Sequence, residues 1–428
     1  MLTRGSLHGL TKAAKLVSAA FSGSAARLTR HQQQPPFTSY LNDASTPWKS
    51  GIMPAYRIMD SKGKILPEAN VPDVGNNTLL KIYKTMIYLN TMDKILYEGQ
   101  RQGRISFYLT HYGEEATVIA STAALEFEDT IYGQYREAGA LLWRGFTVEQ
   151  CVNQCYGNAL DKGRGRQMPI HYGDKDLNFQ TICSHVSVQV PQAPGYAYAL
   201  KLQKKKNCVI CYFGDGAAQM GDFHAALNFA ATRKCPVIFV CRNNGYAIST
   251  PLVDQYAGDG IVTRGQGYGV ESIRVDGNDA LAVYDVTDYA RKVCIEESRP
   301  ILIEAMTYRV GHHTTSDDST KYRTEEEVLW WKENNCPITR LQGLLIDKKI
   351  WSLEEEQQFL ESAKEEIKKV FAEGESVLKP NPNWIFEDVY SSLPANLQKQ
   401  KKQFWSHISK YQDEYPLKTY EHNKGDLQ

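Results

Sequence analysis

The chain has 428 residues, of which 42% are hydrophobic and 23% are charged, and its 49 basic and 49 acidic side chains balance. This is the composition of a globular protein with ample apolar material for a core, and the zero net charge argues against nucleic acid or an acidic membrane surface as the main partner. No apolar run of about 18 residues occurs, so the sequence predicts no transmembrane helix.

The beginning of the chain has the composition of a targeting segment. Residues 1–42 contain no Asp or Glu, while five Lys and Arg residues stand among Ser, Ala and Leu. Short apolar stretches interrupted by basic residues are typical of a mitochondrial transit peptide, and a disordered basic tail is the alternative interpretation. The segment therefore predicts a protein of the mitochondrial matrix. Residues 43–76, rich in Pro, Gly and Asn, predict an extended amino-terminal arm.

Two helices are predicted next along the chain. Apolar residues recur at helical spacing over residues 79–97, and Gly99 is placed to end that helix. Residues 112–116 precede a run rich in Ala and Val, which indicates the start of a second helix.

A parallel sheet is predicted for the middle of the chain. From about 130 to 310, short apolar strands alternate with helical segments, which favours a doubly wound α/β fold. We assign residues 77–345 to this α/β domain and residues 346–428 to a carboxyl-terminal helical extension. Within the extension, Ser352 and Glu355 have the spacing of a capping box.

The nine cysteines do not form a recognisable disulfide or zinc framework. Cys208 and Cys211 make a C-x-x-C pair on a predicted strand, where residues three apart point to opposite faces. No second ligand pair follows at zinc spacing. We therefore expect reduced thiols, in agreement with the matrix assignment.

The most informative motif lies at the ends of two consecutive strands. A buried strand at 208–213 runs into Gly-Asp-Gly, and a second strand at 236–241 is followed by Asn-Asn. Because a right-handed βαβ unit makes these strands parallel, Asp215 and Asn244 should emerge at the same edge of the sheet. Carboxylate and amide oxygens suit Mg²⁺, and phosphate oxygens often complete its coordination.

The glycines and the helix start at the same edge are also suited to phosphate. Glycine allows the backbone to approach a diphosphate closely, and the helix beginning near Asp222 offers unpaired N–H groups. A lone Gly-Asp-Gly is more typical of an ordinary strand-turn-helix. The third glycine of the dinucleotide fingerprint is replaced by Gln219, and no P-loop occurs. However, Gly-Asp-Gly followed after 26 residues by Asn-Asn resembles the thiamine diphosphate motif.

A polar loop at 309–323 follows the predicted strand at 301–308 and carries His312 and His313. A loop of this length at the carboxyl end of a strand is usually functional or mobile. The histidines lack partners at metal-ligand spacing, so we interpret them as proton donors or anion stabilisers beside a cofactor. A solvated loop with incidental histidines is the alternative. Its Ser and Thr hydroxyls also make it a plausible kinase target.

With these motifs in place, the chain resembles the alpha subunits of branched-chain 2-oxoacid dehydrogenases, over residues 51–422. The pyruvate-specific relatives have a single His-Gly-His-type element where this chain has tandem histidines. The resemblance is carried by the His-His-rich loop and by three segments, Tyr97-Glu-Gly-Gln-Arg-Gln-Gly-Arg-Ile-Ser-Phe107, Gly133-Gln-Tyr-Arg-Glu-Ala-Gly139 and Arg242-Asn-Asn-Gly-Tyr-Ala-Ile-Ser-Thr250. It implies a sheet of the thiamine diphosphate-binding type.

The resemblance also implies a set of site residues. The implied Mg²⁺ ligands are Asp215, Asn244 and the carbonyl of Tyr246. The implied catalytic residues are His313 and Ser184. The implied positions around the cofactor and substrate are Gln134, Tyr135, Arg136, Ser184, Val186, Gly214, Gly216, Ala217, Arg242 and His313. The positions implied for regulatory phosphorylation are Thr314 and Thr324.

Activity and partners follow from the same resemblance. It implies decarboxylation of a branched-chain 2-oxo acid with thiamine diphosphate and Mg²⁺, and acyl transfer to lipoyl-lysine of a transacylase core. It further implies a beta subunit in an α2β2 heterotetramer and a regulatory kinase and phosphatase. A preference for pyruvate or another 2-oxo acid is one alternative, and a non-catalytic paralogue with an assembly role is another.

Two departures from the family pattern qualify these expectations. Asp215 stands where family members usually have Glu, which is one methylene longer. Cys183 and Val188 stand where hydroxyl oxygens would help to hold a potassium ion, which argues against a firmly held potassium and motivates the non-catalytic alternative.

Overall fold

The structure is a computed structural model that describes residues 35–41 and 51–422. Most of the predicted targeting segment, and the start of the predicted arm, lie outside the described residues. The strands are β1 (Phe37–Thr38), β2 (Ala55–Tyr56), β3 (Thr130–Tyr132), β4 (Phe179–Gln180), β5 (Val209–Gly214), β6 (Val237–Asn243), β7 (Tyr246–Ala247), β8 (Thr250–Pro251), β9 (Glu271–Asp276) and β10 (Ile301–Met306).

Eight of these strands form one parallel sheet, in the order β1-β2-β9-β10-β6-β5-β3-β4. The other two, β7 and β8, pair as a short antiparallel ribbon just after β6. The predicted parallel α/β sheet is therefore confirmed, and the carboxyl ends of its strands share one edge.

Helices cover the sheet and extend beyond it. None of those in the described part of the chain combines the length and apolar character needed to span a membrane. The helices are α1 (Asn76–Arg101), α2 (Glu115–Ala123), α3 (Ala138–Trp143), α4 (Val148–Tyr156), α5 (Gln189–Leu202), α6 (Gly221–Arg233), α7 (Leu252–Gln255), α8 (Val262–Gln266), α9 (Ala280–Glu297), α10 (Glu325–Asn334), α11 (Pro337–Asp347), α12 (Leu353–Ser376) and α13 (Ala395–Lys410).

The central strands separate two apolar core layers. Along β5, Ile210 and Tyr212 pack in one layer, whereas Cys211 and Phe213 pack in the other. Cys208 belongs to the first layer and Cys211 to the second, so the prediction that the C-x-x-C pair points to opposite faces is confirmed. Buried on both faces, β5 and β6 need continuous apolar runs, which is why they were recognisable in the sequence.

The prediction that Gly99 ends the first helix was wrong. Helix α1 continues to Arg101, and Gly99 lies inside it. A Cβ atom at Gly99 would lie 2.3 Å from the ring of Phe371 on α12. The glycine therefore serves the close packing of two helices, which a single helix pattern does not reveal.

Elements on either side of the central α/β part show one addition to the sheet and one helix cap. At the first end, β1 and β2 add to the edge of the sheet, and the guanidinium of Arg57 stacks 3.3 Å from the ring centroid of Phe37. At the other end, the predicted capping box is confirmed, since Ser352 Oγ accepts from the Glu355 amide at 3.2 Å and Glu355 accepts from the Ser352 amide at 2.8 Å.

Candidate active site

The two residues predicted to share an ion lie at the same edge of the sheet. Strands β5 and β6 are parallel neighbours, and Gly214 at the end of β5 pairs with Arg242 near the end of β6. Asp215 and Asn244 follow directly, and both side chains are buried. Gln255 donates from Nε2 to Asp215 Oδ2 at 2.7 Å, which fixes the carboxylate. The predicted convergence of these strand ends is confirmed.

The amide of Asn244 is held in one orientation by a partner on each side. Its Nδ2 donates to Glu114 Oε1 at 3.0 Å, and a carboxylate oxygen can only accept there. Its Oδ1 therefore faces the other way and accepts from the Tyr246 amide at 3.3 Å. Arg309 approaches the Tyr246 carbonyl at 3.5 Å.

Asp215, Asn244 and Tyr246 therefore each place an oxygen atom at this edge of the sheet. Among residues 35–41 and 51–422, no group of three or more His, Cys, Asp or Glu side chains is arranged to hold a metal. A cation at the strand ends would use the Asp215 carboxylate with the amide and carbonyl oxygens of Asn244 and Tyr246, a hard set that suits Mg²⁺.

A buried chain of hydrogen bonds connects the strand ends to the segment after β3. Arg242 donates to Glu114 at 2.6 Å and also to Glu137. Glu137 accepts from the Gln134 amide at 2.6 Å, and the Gln134 side chain accepts from the Gly214 amide at 3.0 Å. Because all five residues belong to this chain of contacts, the segment that carries Gln134 is fixed against the end of β5.

In this network the charges of two carboxylates, Glu114 and Glu137, balance those of two guanidinium groups, Arg242 and Arg136. Burial alone would raise the pKa of Glu114, but the charges of Arg242 and Arg136 outweigh burial and lower it. Burial opposes the charged form of Arg242 as well, yet Glu137 and Glu114 raise its pKa above the usual value. The structure buries the Arg242 guanidinium almost fully, inside the network.

His313 lies between two arginines. Arg136 Nη2 donates to the His313 carbonyl at 2.6 Å, and Nη2 of Arg136 and Nη1 of Arg309 each lie 3.3 Å from His313 Nδ1. Guanidinium nitrogens only donate, so Nδ1 accepts and the proton of the neutral ring is on Nε2. The ring meets Tyr135 edge-on, with 5.9 Å between centroids. The structure thus brings Tyr135, Arg136 and His313 together.

This environment keeps His313 neutral. Burial and the charges of Arg136 and Arg309 lower its pKa to about 3, although Asp317 acts in the opposite direction. At physiological pH the ring is a hydrogen-bond donor through Nε2 rather than a cation. The positive charge beside it is carried by the arginines, a pattern suited to an anionic ligand.

The loop that carries His313 is held by side chains of its own. Arg323 donates to the carbonyls of Arg309, Val310 and Gly311, the last at 2.6 Å. Asp317 accepts from the His313 amide at 2.8 Å. These contacts order the loop around His313.

The two tandem histidines point to different partners. His312 Nδ1 accepts from the Ser319 amide at 3.1 Å, whereas His313 Nδ1 accepts from the arginines. The Nδ1 atoms of the two histidines are therefore engaged separately. Of the two threonines implied for phosphorylation, Thr314 Oγ1 in the loop accepts from the Ser316 amide at 3.3 Å, and Thr324, just after the loop, is the N-cap of α10.

Gly216 has no room for a side chain. Its backbone is right-handed helical, but a Cβ atom there would lie 2.7 Å from Ala247 Cβ in the ribbon after β6. The glycine thus allows the turn after Asp215 to approach the segment after Asn244. Ala217, the next residue, is buried beneath this turn.

Ser184 and Val186 are not part of the arginine cluster. Both side chains are exposed, and Ser184 Oγ lies 2.6 Å from His171 Nε2. Their segment is nevertheless tied to the same edge of the sheet, because Gln189 donates to the Tyr212 carbonyl at 3.0 Å.

Sequence reasoning missed several residues that build this site. Glu114, Glu137 and Arg309 orient the residues it singled out, and Gln255 holds Asp215. Glu114 and Glu137 stood inside segments that were already noticed, but nothing local marks a Glu as buried. Only the charge balance against buried arginines makes them recognisable.

The structure combines a parallel α/β sheet with carboxylate, amide and carbonyl oxygens and an arginine cluster at the carboxyl edge of its strands. This is an α/β protein with a candidate site for a phosphorylated ligand. Residues 83–383 match the family model described as dehydrogenase E1 component, and the chain belongs to this family.

The chain is similar to proteins named 2-oxoisovalerate dehydrogenase subunit alpha, mitochondrial. The protein of this name from Macaca fascicularis is 52% identical over 372 residues, which cover 87% of this chain and 83% of the relative. The Homo sapiens protein is 53% identical over 368 residues, 86% of this chain and 82% of the relative. The Caenorhabditis elegans protein is 53% identical over 366 residues, 85% of each.

Proposed function

We propose that this chain is the alpha subunit of a mitochondrial branched-chain 2-oxoacid dehydrogenase. The observation that carries the proposal is its identity, over most of its length, with relatives that bear the name 2-oxoisovalerate dehydrogenase subunit alpha. The reaction is the oxidative decarboxylation of a branched-chain 2-oxo acid, with transfer of the acyl group to lipoyl-lysine. The location is the mitochondrial matrix, as the leader-like composition of residues 1–42 predicts.

The site suits the cofactor of this family. Thiamine diphosphate, when bound, would supply the carbanion that adds to the 2-oxo group and would take up the electrons left by CO₂. Asp215, Asn244 and the Tyr246 carbonyl would hold Mg²⁺, which needs six oxygens and would draw the others from the diphosphate and water. Gly216 supports this arrangement indirectly, since its close approach to Ala247 brings the turn after Asp215 against the segment after Asn244.

The residues around the arginine cluster would bind and orient the phosphate end. Arg136 presents a fixed, buried charge beside His313. Gln134 and Gly214 hold the adjoining backbone, and Arg242 keeps Glu114 and Asn244 in place. Gly216, Ala217, Tyr135, Ser184 and Val186 complete the cofactor and substrate positions that we propose.

His313 would act through its Nε2 proton. With Nδ1 engaged by Arg136 and Arg309, Nε2 is the ring atom that can donate to the reacting group. A neutral imidazole donor stabilises negative charge that develops on an oxygen, and it can also deliver a proton. We propose this role for His313 and a supporting role for the exposed hydroxyl of Ser184.

The chain would function within a larger assembly. We propose a beta subunit in an α2β2 heterotetramer and a lipoyl-bearing transacylase core as the acyl acceptor. A regulatory kinase and phosphatase would act on Thr314 or Thr324. A phosphate on Thr314 would stand one residue from His313 and compete for Arg136 and Arg309, whereas one on Thr324 would alter the N-cap of α10.

The decisive experiment is CO₂ release by this chain co-expressed with a beta subunit, with thiamine diphosphate and Mg²⁺ and with 2-oxoisovalerate or pyruvate as substrate. We expect turnover with 2-oxoisovalerate in preference to pyruvate, and none in Asp215→Asn. The matched control is Asp176→Asn, because that carboxylate is 85% exposed and lies far from the strand ends along the chain. Preference for pyruvate would refute the branched-chain assignment.

A tetramer that binds the cofactor but releases no CO₂ from any 2-oxo acid would favour the non-catalytic paralogue with an assembly role instead. Parallel assays with and without potassium test the altered segment at Cys183 and Val188. We expect turnover without potassium, since two hydroxyl donors of the family pattern are missing there.

A further inference from the structure

His171 and Ser184 form a hydrogen-bonded pair outside the arginine cluster. Ser184 Oγ lies 2.6 Å from His171 Nε2, and His171 Nδ1 lies 3.0 Å from the Pro169 carbonyl. The histidine is 5% exposed, whereas the serine side chain is exposed. A buried ring therefore supports a hydroxyl that faces outward.

The contacts of the ring set the direction of the hydroxyl. A carbonyl only accepts, so the proton of the neutral imidazole lies on Nδ1 and is donated to Pro169. Nε2 is then an acceptor, and Ser184 donates to it at 2.6 Å rather than to the Met168 sulfur, which lies 3.9 Å from Ser184 Oγ. The hydroxyl proton is therefore turned inward, and the lone pairs of Ser184 Oγ face the exposed side.

A hairpin-like pairing creates this arrangement. Asp174 and Phe179 exchange two backbone hydrogen bonds of 3.0 Å, and the Ile182 amide donates to the Tyr172 carbonyl at 3.0 Å. Beyond these bonds the pairing is irregular, and His171 and Ser184 meet through their side chains rather than through a continued ladder. The second segment of this hairpin-like pairing includes β4, whose carboxyl end lies at the same edge of the sheet as Asp215.

The backbone next to His171 is strained. Ile170 has φ +65° and is completely buried, although a β-branched residue rarely adopts the left-handed region. Such a conformation persists only where the surroundings hold it in place.

We propose that His171 is a positioning residue that holds the Ser184 hydroxyl as a hydrogen-bond acceptor toward the substrate. The inference rests on the proposed function and assigns to that site a residue that the family motifs did not indicate. A 2-oxo acid presents only acceptors, namely its carboxylate and its carbonyl. Ser184 Oγ can therefore accept a hydrogen bond only from a substrate group that becomes protonated during the reaction. Because the bound substrate does not yet make this contact, its loss should lower kcat and leave KM nearly unchanged.

Two substitutions of His171 separate its two hydrogen bonds. In His171→Asn, the side-chain nitrogen occupies the Nδ1 position and keeps Pro169, but the side chain is too short for Ser184. In His171→Gln, the longer side chain can present an oxygen to Ser184. His171→Leu removes both bonds and gives the same comparison if His171→Asn does not assemble with the beta subunit.

The test is steady-state kinetics of the co-expressed tetramer with 2-oxoisovalerate. One hydrogen bond corresponds to roughly a three- to tenfold effect, so kcat should fall by about that factor in H171N and in S184A. KM should stay within about twofold, and H171Q should recover most of the loss. The H171N/S184A double variant should be no slower than either single variant, because both remove one interaction.

Several results would overturn the assignment. The assignment is contradicted if H171N keeps the wild-type kcat, or if the losses add in the double variant. It is also contradicted if H171Q loses as much as H171N, or if only KM changes. An active wild-type tetramer with any of these results refutes only the role of His171. A wild-type tetramer without turnover refutes the proposed function and this assignment with it.

Discussion

Glu114 offers the sharpest test of the buried network, through its replacement by Gln. The carboxylate accepts from Arg242 Nη1 at 2.6 Å and from Asn244 Nδ2 at 3.0 Å, and it lies 3.8 Å from Arg136 Nε. Glu114→Gln keeps the shape but removes one of the two charges that balance the arginines. The new NH₂ group must also face a donor, either Arg242 or Asn244.

Breaking a buried ion pair from one side costs about 3–5 kcal/mol, and we expect about 3 kcal/mol of stability to be lost because one oxygen still accepts. Urea denaturation of the co-expressed assembly at pH 7, followed by circular dichroism, measures this loss. Glu128→Gln is the matched control, since Glu128 is exposed, and it should stay within about 0.5 kcal/mol. A Glu114→Gln variant as stable as this control would refute the charge balance that we assign to the network.

Three further predictions test packing, pH dependence and helix capping. Gly216→Ala should weaken cofactor binding at least about tenfold, because the added Cβ forces Ala247 aside at a strain of about 1–3 kcal/mol. Adding Ala247→Gly to this variant should restore binding. Gly221→Ala is the control and should be neutral, since nothing lies within 4 Å of its Cβ. Burial raises the pKa of Glu115 from its ordinary 4.5 to about 7, so its carboxylate destabilises the fold increasingly from pH 4.5 to 7. Relative to wild type, the free energy of unfolding of Glu115→Gln should therefore rise by about 3 kcal/mol between pH 4.5 and pH 8. A difference in denaturation midpoint that does not change with pH would contradict this. Ser352→Ala should cost about 1 kcal/mol through the lost cap, against no change for an exposed serine such as Ser316.

The sequence indicates those parts of the fold that depend on local pattern. Strands buried on both faces require continuous apolar runs, so β5 and β6 were recognisable, and their connection through α6 made them parallel. That topology alone brings Asp215 and Asn244 to one edge. The capping box of α12 is equally local, since both partners lie within four residues.

Features that depend on distant contacts were not recognisable. Gly99 has the sequence position of a helix terminator, but its role is set by Phe371, far along the chain. The short strand Phe37–Thr38 lies in a segment with the composition of a leader, yet it pairs with Ala55–Tyr56 in the sheet. Removal of all of residues 1–42 would take this strand out of the sheet, together with the Pro36 carbonyl, which accepts from the Ala55 amide at 2.8 Å.

The arrangement around His313 suggests how ligand and proton are linked. Arg136 and Arg309 lower its pKa because their charges are directed at the ring. An anionic diphosphate bound against the same guanidinium groups would offset that charge and raise the pKa of the ring. His313 would then hold a proton more readily when the phosphate site is filled. A phosphate on Thr314 would act on the same arginines from the protein side, so occupancy of the site and modification of the loop would compete for one pair of charges.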